Sequence, residues 1–253
     1  MRPRLIPCLL LRGAGLVKTV KFAEPKYLGD PINIVRIFND KEVDELIVLD
    51  IDATRRSRAP DFALIHDLAT ECFMPLCYGG GVRTVDEMQR LFASGVEKVA
   101  LNTAAQREPG LVRRAAERFG SQSVVASLDV KRGWFGAYEV CTDGATKGTG
   151  LKPGDAAARL EDEGAGEILL TAVDRDGTMQ GYDLKLVEEV ARRVKVPVVA
   201  CGGAGSLSDV RAVVRDAGAS AAAAGSMFVF QGPHRGVLIN YPPYEEIVRL
   251  LGN

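Results

Sequence analysis

The chain repeats itself at an offset of 122 residues: Pro75-Leu76-Cys77-Tyr78-Gly79-Gly80-Gly81 returns as Pro197-Val198-Val199-Ala200-Cys201-Gly202-Gly203. At the same offset Glu45-Leu46-Ile47-Val48-Leu49 returns as Glu167-Ile168-Leu169-Leu170-Thr171. Each copy alternates short apolar runs with helical stretches, and 253 residues is about the length of one (β/α)8 barrel. The repeat therefore predicts an α/β protein, a single (β/α)8 TIM barrel over 1–253 made of two duplicated half-barrels, about 1–122 and 123–253. An open doubly wound sheet would alternate strands and helices too, but would not account for the twofold repeat.

Strands are expected where β-branched or Leu-rich runs are bounded by turn residues: Arg4–Leu11, Glu45–Asp50, Pro75–Tyr78, Lys98–Leu101, Val124–Asp129, Glu167–Thr171, Pro197–Ala200 and Ala221–Ala224. Their near-continuous apolar character fits a parallel sheet covered on both faces. Val85, Met88, Leu91 and Phe92 recur at helical spacing, as do apolar residues in Asp61–Phe73, Leu111–Phe119 and Leu184–Val194. Near the end, Gln231 to Tyr244 is rich in Gly, Pro and Asn and predicts a loop, followed by a short helix over Tyr244–Leu251.

A formal charge of -1 argues against a dedicated nucleic-acid or membrane surface. Arg55-Arg56-Ser57-Arg58 is the dense basic cluster, read as a solvated loop. No apolar run approaches the roughly 20 residues that span a bilayer. Leu5–Leu11 is short and interrupted by Pro7, unlike a secretory leader, and the five cysteines lack paired metal spacing and read as reduced thiols. The expectation is a cytoplasmic protein with no metal site and no cofactor.

In such barrels chemistry sits at the C-terminal ends of the strands. There the third and seventh strands run into Gly79-Gly80-Gly81 and Gly202-Gly203-Ala204-Gly205, and the fourth and eighth into Asn102-Thr103 and Gly225-Ser226. Small residues let backbone N–H groups approach an anion, and hydroxyls add donors. Gly80, Gly81, Asn102 and Thr103 are thus one candidate phosphate site, and Gly202, Gly203, Gly205, Gly225 and Ser226 another. Together they imply a ligand with a phosphate at each end. Asp50, Asp129, Asp174 and Asp176 also follow strand ends, where a raised pKa suits proton transfer. Asp129 is the prime candidate, Asp174 reads as a structural ion pair, and Asp176 fits either role. Where the second half carries Asp129, the first carries Leu10.

At the opposite face, Arg4, Glu45, Lys98 and Glu167 open strands one, two, four and six. Two cations and two anions can close a ring of salt bridges around the axis. The ring reads either as a stabilising plug or as a polar gate for something small arriving from a docked partner.

These residues resemble the cyclase subunit of imidazole glycerol phosphate synthase. Gly79–Arg83, Val99–Ala105, Phe119–Gln122, Gly164–Thr171, Asp174–Thr178 and Gly202–Gly205 carry the resemblance, which spans Arg4 to about Phe230. It implies a lyase that takes ammonia from a glutaminase docked on the N-terminal barrel face. The ammonia then cleaves and cyclises a bisphosphorylated aminoimidazole ribonucleotide, a step of histidine biosynthesis. The family's gate residues match Arg4, Glu45, Lys98 and Glu167, its first-loop lysine matches Lys18, and one catalytic aspartate matches Asp129. The other falls at Leu10, and the serine after strand seven is Cys201. Asp52, on a different strand, is a candidate substitute carboxylate.

The run Pro7–Thr19 with Asp50–Thr54 is similar to a divergent branch found with surface-polysaccharide genes. That resemblance implies a third partner, a sugar amidotransferase that makes acetamidino groups. Three functions are compatible with these readings: nitrogen delivery without ring closure, a working cyclase, or a non-catalytic scaffold that binds a phosphorylated small molecule and regulates the glutaminase.

Overall fold

Near-continuous apolar runs bury both faces of a strand, and the computed structural model places eight of them side by side. It describes residues 3–133, 136–232 and 234–252. The barrel strands are β1 Arg4–Arg12, β2 Leu46–Asp50, β3 Leu76–Gly79, β4 Lys98–Leu101, β5 Val124–Arg132, β6 Glu167–Ala172, β7 Val198–Cys201 and β8 Ala221–Ala224. Each pairs in parallel with the next, and β8 closes on β1 with Arg4 opposite Ala221 and Pro7 opposite Ala224. This is the closed (β/α)8 barrel expected from the repeat.

Side chains alternate across each strand. Ile6, Cys8 and Leu10 of β1 face inward with Ile47, Cys77, Ala100, Val125, Leu169, Val199, Ala221 and Ala223. The alternate residues, such as Leu5, Leu9, Leu46, Val99, Leu128 and Leu170, pack outward against the helices in the main core. This parity fixes which strand-end residues reach the mouth.

Helices follow the strands with local start signals. Asp30 and Asp61 cap Pro31–Asp40 and Phe62–Glu71, accepting from Asn33 and Leu64 N–H. Thr84 and Glu87 form a capping box at Val85–Ala93, and Ser206 and Asp209 form its counterpart at Leu207–Arg215, at the repeat offset. The terminal helix covers Tyr244–Leu251, as expected. The preceding loop carries a two-residue-deep hairpin, Phe230–Gln231 with Gly236–Val237, and its Pro233 lies outside the described residues.

Sequence reading missed two features, both following the first strand of a half. Gly15–Val20 pairs antiparallel with the end of β1 and then with Ala23–Gly29. Tyr138–Thr142 pairs with the end of β5 and then with Lys147–Gly148. These hairpins extend the wall above the barrel. No helix among the described residues is long and apolar enough to cross a membrane.

Candidate functional site

The C-terminal ends of the strands enclose a cavity lined by residues from both halves, among them Leu10, Lys18, Asp129, Asp176, Cys8 and Cys201. Leu10 is inward on β1 and 8% exposed, packed with Val17 and Leu49 of the interior cluster. Asp129 lines the same cavity from β5, the first strand of the other half. Its carboxyl is pushed up to about 7, chiefly by burial, with the Asp176 carboxylate adding to the rise and the Asn102 amide opposing it. A carboxyl poised there can hold or release a proton at neutral pH.

Asp176 is engaged. Its Oδ1 accepts from Lys18 Nζ at 2.6 Å, and its Oδ2 accepts from Thr19 Oγ1 at 2.8 Å and Phe22 N–H at 3.4 Å. Its backbone carbonyl accepts from Lys21 N–H at 2.9 Å. Lys18 and Asp176 are both buried. The pair therefore ties the first hairpin to the loop after β6 while still bordering the cavity.

The other carboxylates near the strand ends are occupied structurally. Asp50 accepts from Asp52 and Ala53 N–H, each at 2.9 Å, which shapes the turn after β2. Asp52 pairs with Arg12 at 3.3 Å and Arg56 at 3.1 Å and does not line the cavity, so it does not face Asp129 across the mouth as a substitute carboxylate would. Asp174 accepts the Arg132 backbone N–H at 2.8 Å, a hydrogen bond in place of the expected ion pair.

Gly80, Asn102, Thr103, Gly202, Gly203, Gly225 and Ser226 all line the cavity. Close backbone approach requires glycine at several of them: a Cβ on Gly80 would lie 2.3 Å from Asp50 O, and one on Gly203 would lie 2.2 Å from Gly181 O. The Ser226 hydroxyl is buried without a hydrogen-bond partner, an orphan that a ligand oxygen would satisfy. Gly81 and Gly205 correct the expectation. Neither lines the cavity, and their N–H groups are taken by Thr54 Oγ1 at 3.2 Å and the Asp209 carboxylate at 2.9 Å.

Cys8 and Cys201 meet in the inward column. Contact with Cys201 together with burial pushes the Cys8 thiol well above the ordinary range. The described residues contain no cluster of three or more His, Cys, Asp or Glu suited to a metal ion.

At the opposite end the expected ring of charges closes. Arg4 donates to both Glu45 and Glu167, and Lys98 Nζ lies 2.9 Å from Glu45 Oε1 and 3.0 Å from Glu167 Oε2. Burial opposes charge on Arg4 and Lys98, but Glu167 and Glu45 outweigh it and raise both pKa values.

The family model for histidine biosynthesis proteins matches residues 4–234. The chain belongs to the histidine biosynthesis protein family. A Pseudomonas aeruginosa relative, provisionally named imidazole glycerol phosphate synthase subunit hisF2, is 53% identical over 247 residues and 98% of each chain. A Vibrio vulnificus relative, provisionally named subunit hisF3 of the same synthase, is 48% identical over 97% of this chain and 95% of its own. The Alkaliphilus metalliredigens imidazole glycerol phosphate synthase subunit HisF is 44% identical over 225 residues, 89% of each chain. The barrel, the cavity and the ring thus sit on a family scaffold whose named relatives are synthase subunits.

Proposed function

We propose that the protein is a cyclase-type subunit that receives ammonia from a glutaminase and delivers it at the barrel mouth without closing an imidazole ring. The observation that carries this reading is Leu10, inward and in the cavity, where ring closure would want an acid or base to work with Asp129. Ammonia enters at the floor, where Arg4, Glu45, Lys98 and Glu167 act as the gate. Above them, Ile47, Ala100, Val125, Leu169 and Val199 form a largely apolar interior that carries a neutral molecule more readily than an ion. At the mouth, Gly80, Asn102, Thr103, Gly202, Gly203, Gly225 and Ser226 hold a phosphorylated ligand, with Lys18 and Asp176 orienting the first hairpin around it. The nitrogen then goes to a sugar amidotransferase that forms an acetamidino group.

The test uses the purified protein with its glutaminase, the bisphosphorylated aminoimidazole ribonucleotide and ammonium. Loss of one general acid–base group lowers turnover ~10²–10⁴-fold, so the unmodified protein shows little cyclisation, and Leu10→Asp raises it. Brisk cyclisation by the unmodified protein overturns the reading. That outcome establishes the second reading, a working cyclase of histidine biosynthesis. It is favoured by the name of the Alkaliphilus relative and by a proton-exchanging Asp129.

A further inference from the structure

Arg55 is a cation at the rim that no carboxylate among the described residues neutralises. Its neighbours in the loop after β2 are spoken for, with Arg56 3.1 Å from Asp52 and Arg58 3.8 Å from Asp50. Arg55 lines the mouth cavity, and among the described residues it has no ion-pair or hydrogen-bond partner.

Its stem is nevertheless placed. A Cβ added at Gly144 would fall 3.2 Å from Arg55 Cδ and 3.8 Å from Cγ, so the methylenes rest against bare backbone in the hairpin after β5. One residue earlier, Asp143 N–H donates to Thr103 Oγ1 at 2.9 Å, which fixes that hairpin over the β4 end. Arg55, Thr54, Gly80, Asn102 and Thr103 therefore border one end of the cavity. The Thr103 hydroxyl hydrogen is left with a 3.4 Å contact to Asn102 Oδ1, long enough to be given up to a better acceptor.

The charges around the cavity leave Arg55 in surplus. Lys18 and Asp176 neutralise each other, and Asp50 is held by turn amides and Arg58. Asp129, inward on the neighbouring β5 and beside Asn102, keeps its proton part of the time at neutral pH.

We propose that Arg55 recognises a phosphoryl group of the ligand at the strand three–four end of the mouth. The proposal rests on reading the mouth as a phosphate-ligand site and adds the residue that gives this end its charge. The guanidinium presents two N–H groups in a fixed fork that matches two phosphoryl oxygens, and Thr103 supplies a hydroxyl donor beside it. The two ends of the ligand are then held differently. The strand seven–eight end relies on backbone and the orphan Ser226 hydroxyl, while the Arg55 end relies on an exposed charge. Exposed charges are screened by salt, so binding at the Arg55 end falls more steeply with ionic strength.

Titration of the full-length protein with inorganic phosphate, followed through backbone amide signals, tests this. Signals of Gly80 and Thr103 report one end, and those of Gly203 and Ser226 the other. Arg55→Gln is expected to weaken binding read at Gly80 and Thr103 about 5- to 10-fold, with Gly203 and Ser226 unchanged and Arg56→Gln without effect at either end. Thermal unfolding of Arg55→Gln should stay close to the parent, since the guanidinium has no ion-pair or hydrogen-bond partner among the described residues to lose and Gln keeps most of the stem. Arg55→Gln within twofold of the parent at Gly80 and Thr103 overturns the assignment while leaving the phosphate reading intact. A parent protein whose signals do not move at either end overturns both.

Discussion

Lys18 Nζ lies 2.6 Å from Asp176 Oδ1, and both side chains are buried at the rim of the cavity. Removing one partner of such a pair leaves a charge without water or counter-charge, which costs ~3–5 kcal/mol. Lys18→Met should therefore lower the urea midpoint strongly. The double variant Lys18→Met with Asp176→Leu should recover much of the loss, because the pair itself contributes little net stability. A double variant as unstable as Lys18→Met alone would refute this account of the pair.

Asp129 makes stability depend on pH. Its carboxyl keeps a proton to about 7 in the folded chain, whereas an unfolded aspartate has released it by about pH 4. Between those values the folded state binds more protons, so stability falls as pH rises, by at most ~1.4 kcal/mol per unit, and levels off above pH 7. Urea unfolding across pH 4.5 to 8.5 should show the slope in the parent and lose it in Asp129→Asn. An identical slope in both would assign it elsewhere.

At the floor, Lys98 holds Glu45 and Glu167 together. Lys98→Met leaves these buried carboxylates with Arg4 as their ring cation and should cost ~3 kcal/mol in chemical denaturation. If the ring is also the gate, the same variant should change the share of glutamine-derived nitrogen that reaches the mouth. An unchanged share with the stability loss intact would make the ring a plug alone.

The two capping boxes offer a matched pair. Thr84 Oγ1 accepts from Glu87 N–H at 3.1 Å, and Ser206 Oγ accepts from Asp209 N–H at 3.3 Å. Thr84→Ala and Ser206→Ala should each cost ~1 kcal/mol, and the double variant should show the sum, since distant sites add. Calorimetry on the three variants checks this, and strong non-additivity would indicate that the halves communicate through these helix starts.

The eight strands were legible because a barrel strand buried on both faces is an apolar run whatever its surroundings. The charged ring was legible because it depends only on which residues open strands. The hairpins Gly15–Gly29 and Tyr138–Gly148 were not, because a largely exposed strand such as Ala23–Gly29 lacks an apolar face to mark it. Gly81 and Gly205 looked equivalent to Gly80 and Gly203 in sequence, but Thr54, from the loop after the preceding strand, and Asp209, from the capping box that follows, take their amides. Arg55 disappeared into a basic cluster, and only pairing in space separates it from Arg56 and Arg58. Asp52 misled for the complementary reason: two arginines claim it.

Because Asp176 grips the Gly15–Gly29 hairpin through Lys18, Thr19 and two backbone amides, that side of the entrance cannot swing outward without pulling Lys18 off Asp176 and leaving a buried carboxylate unpaired.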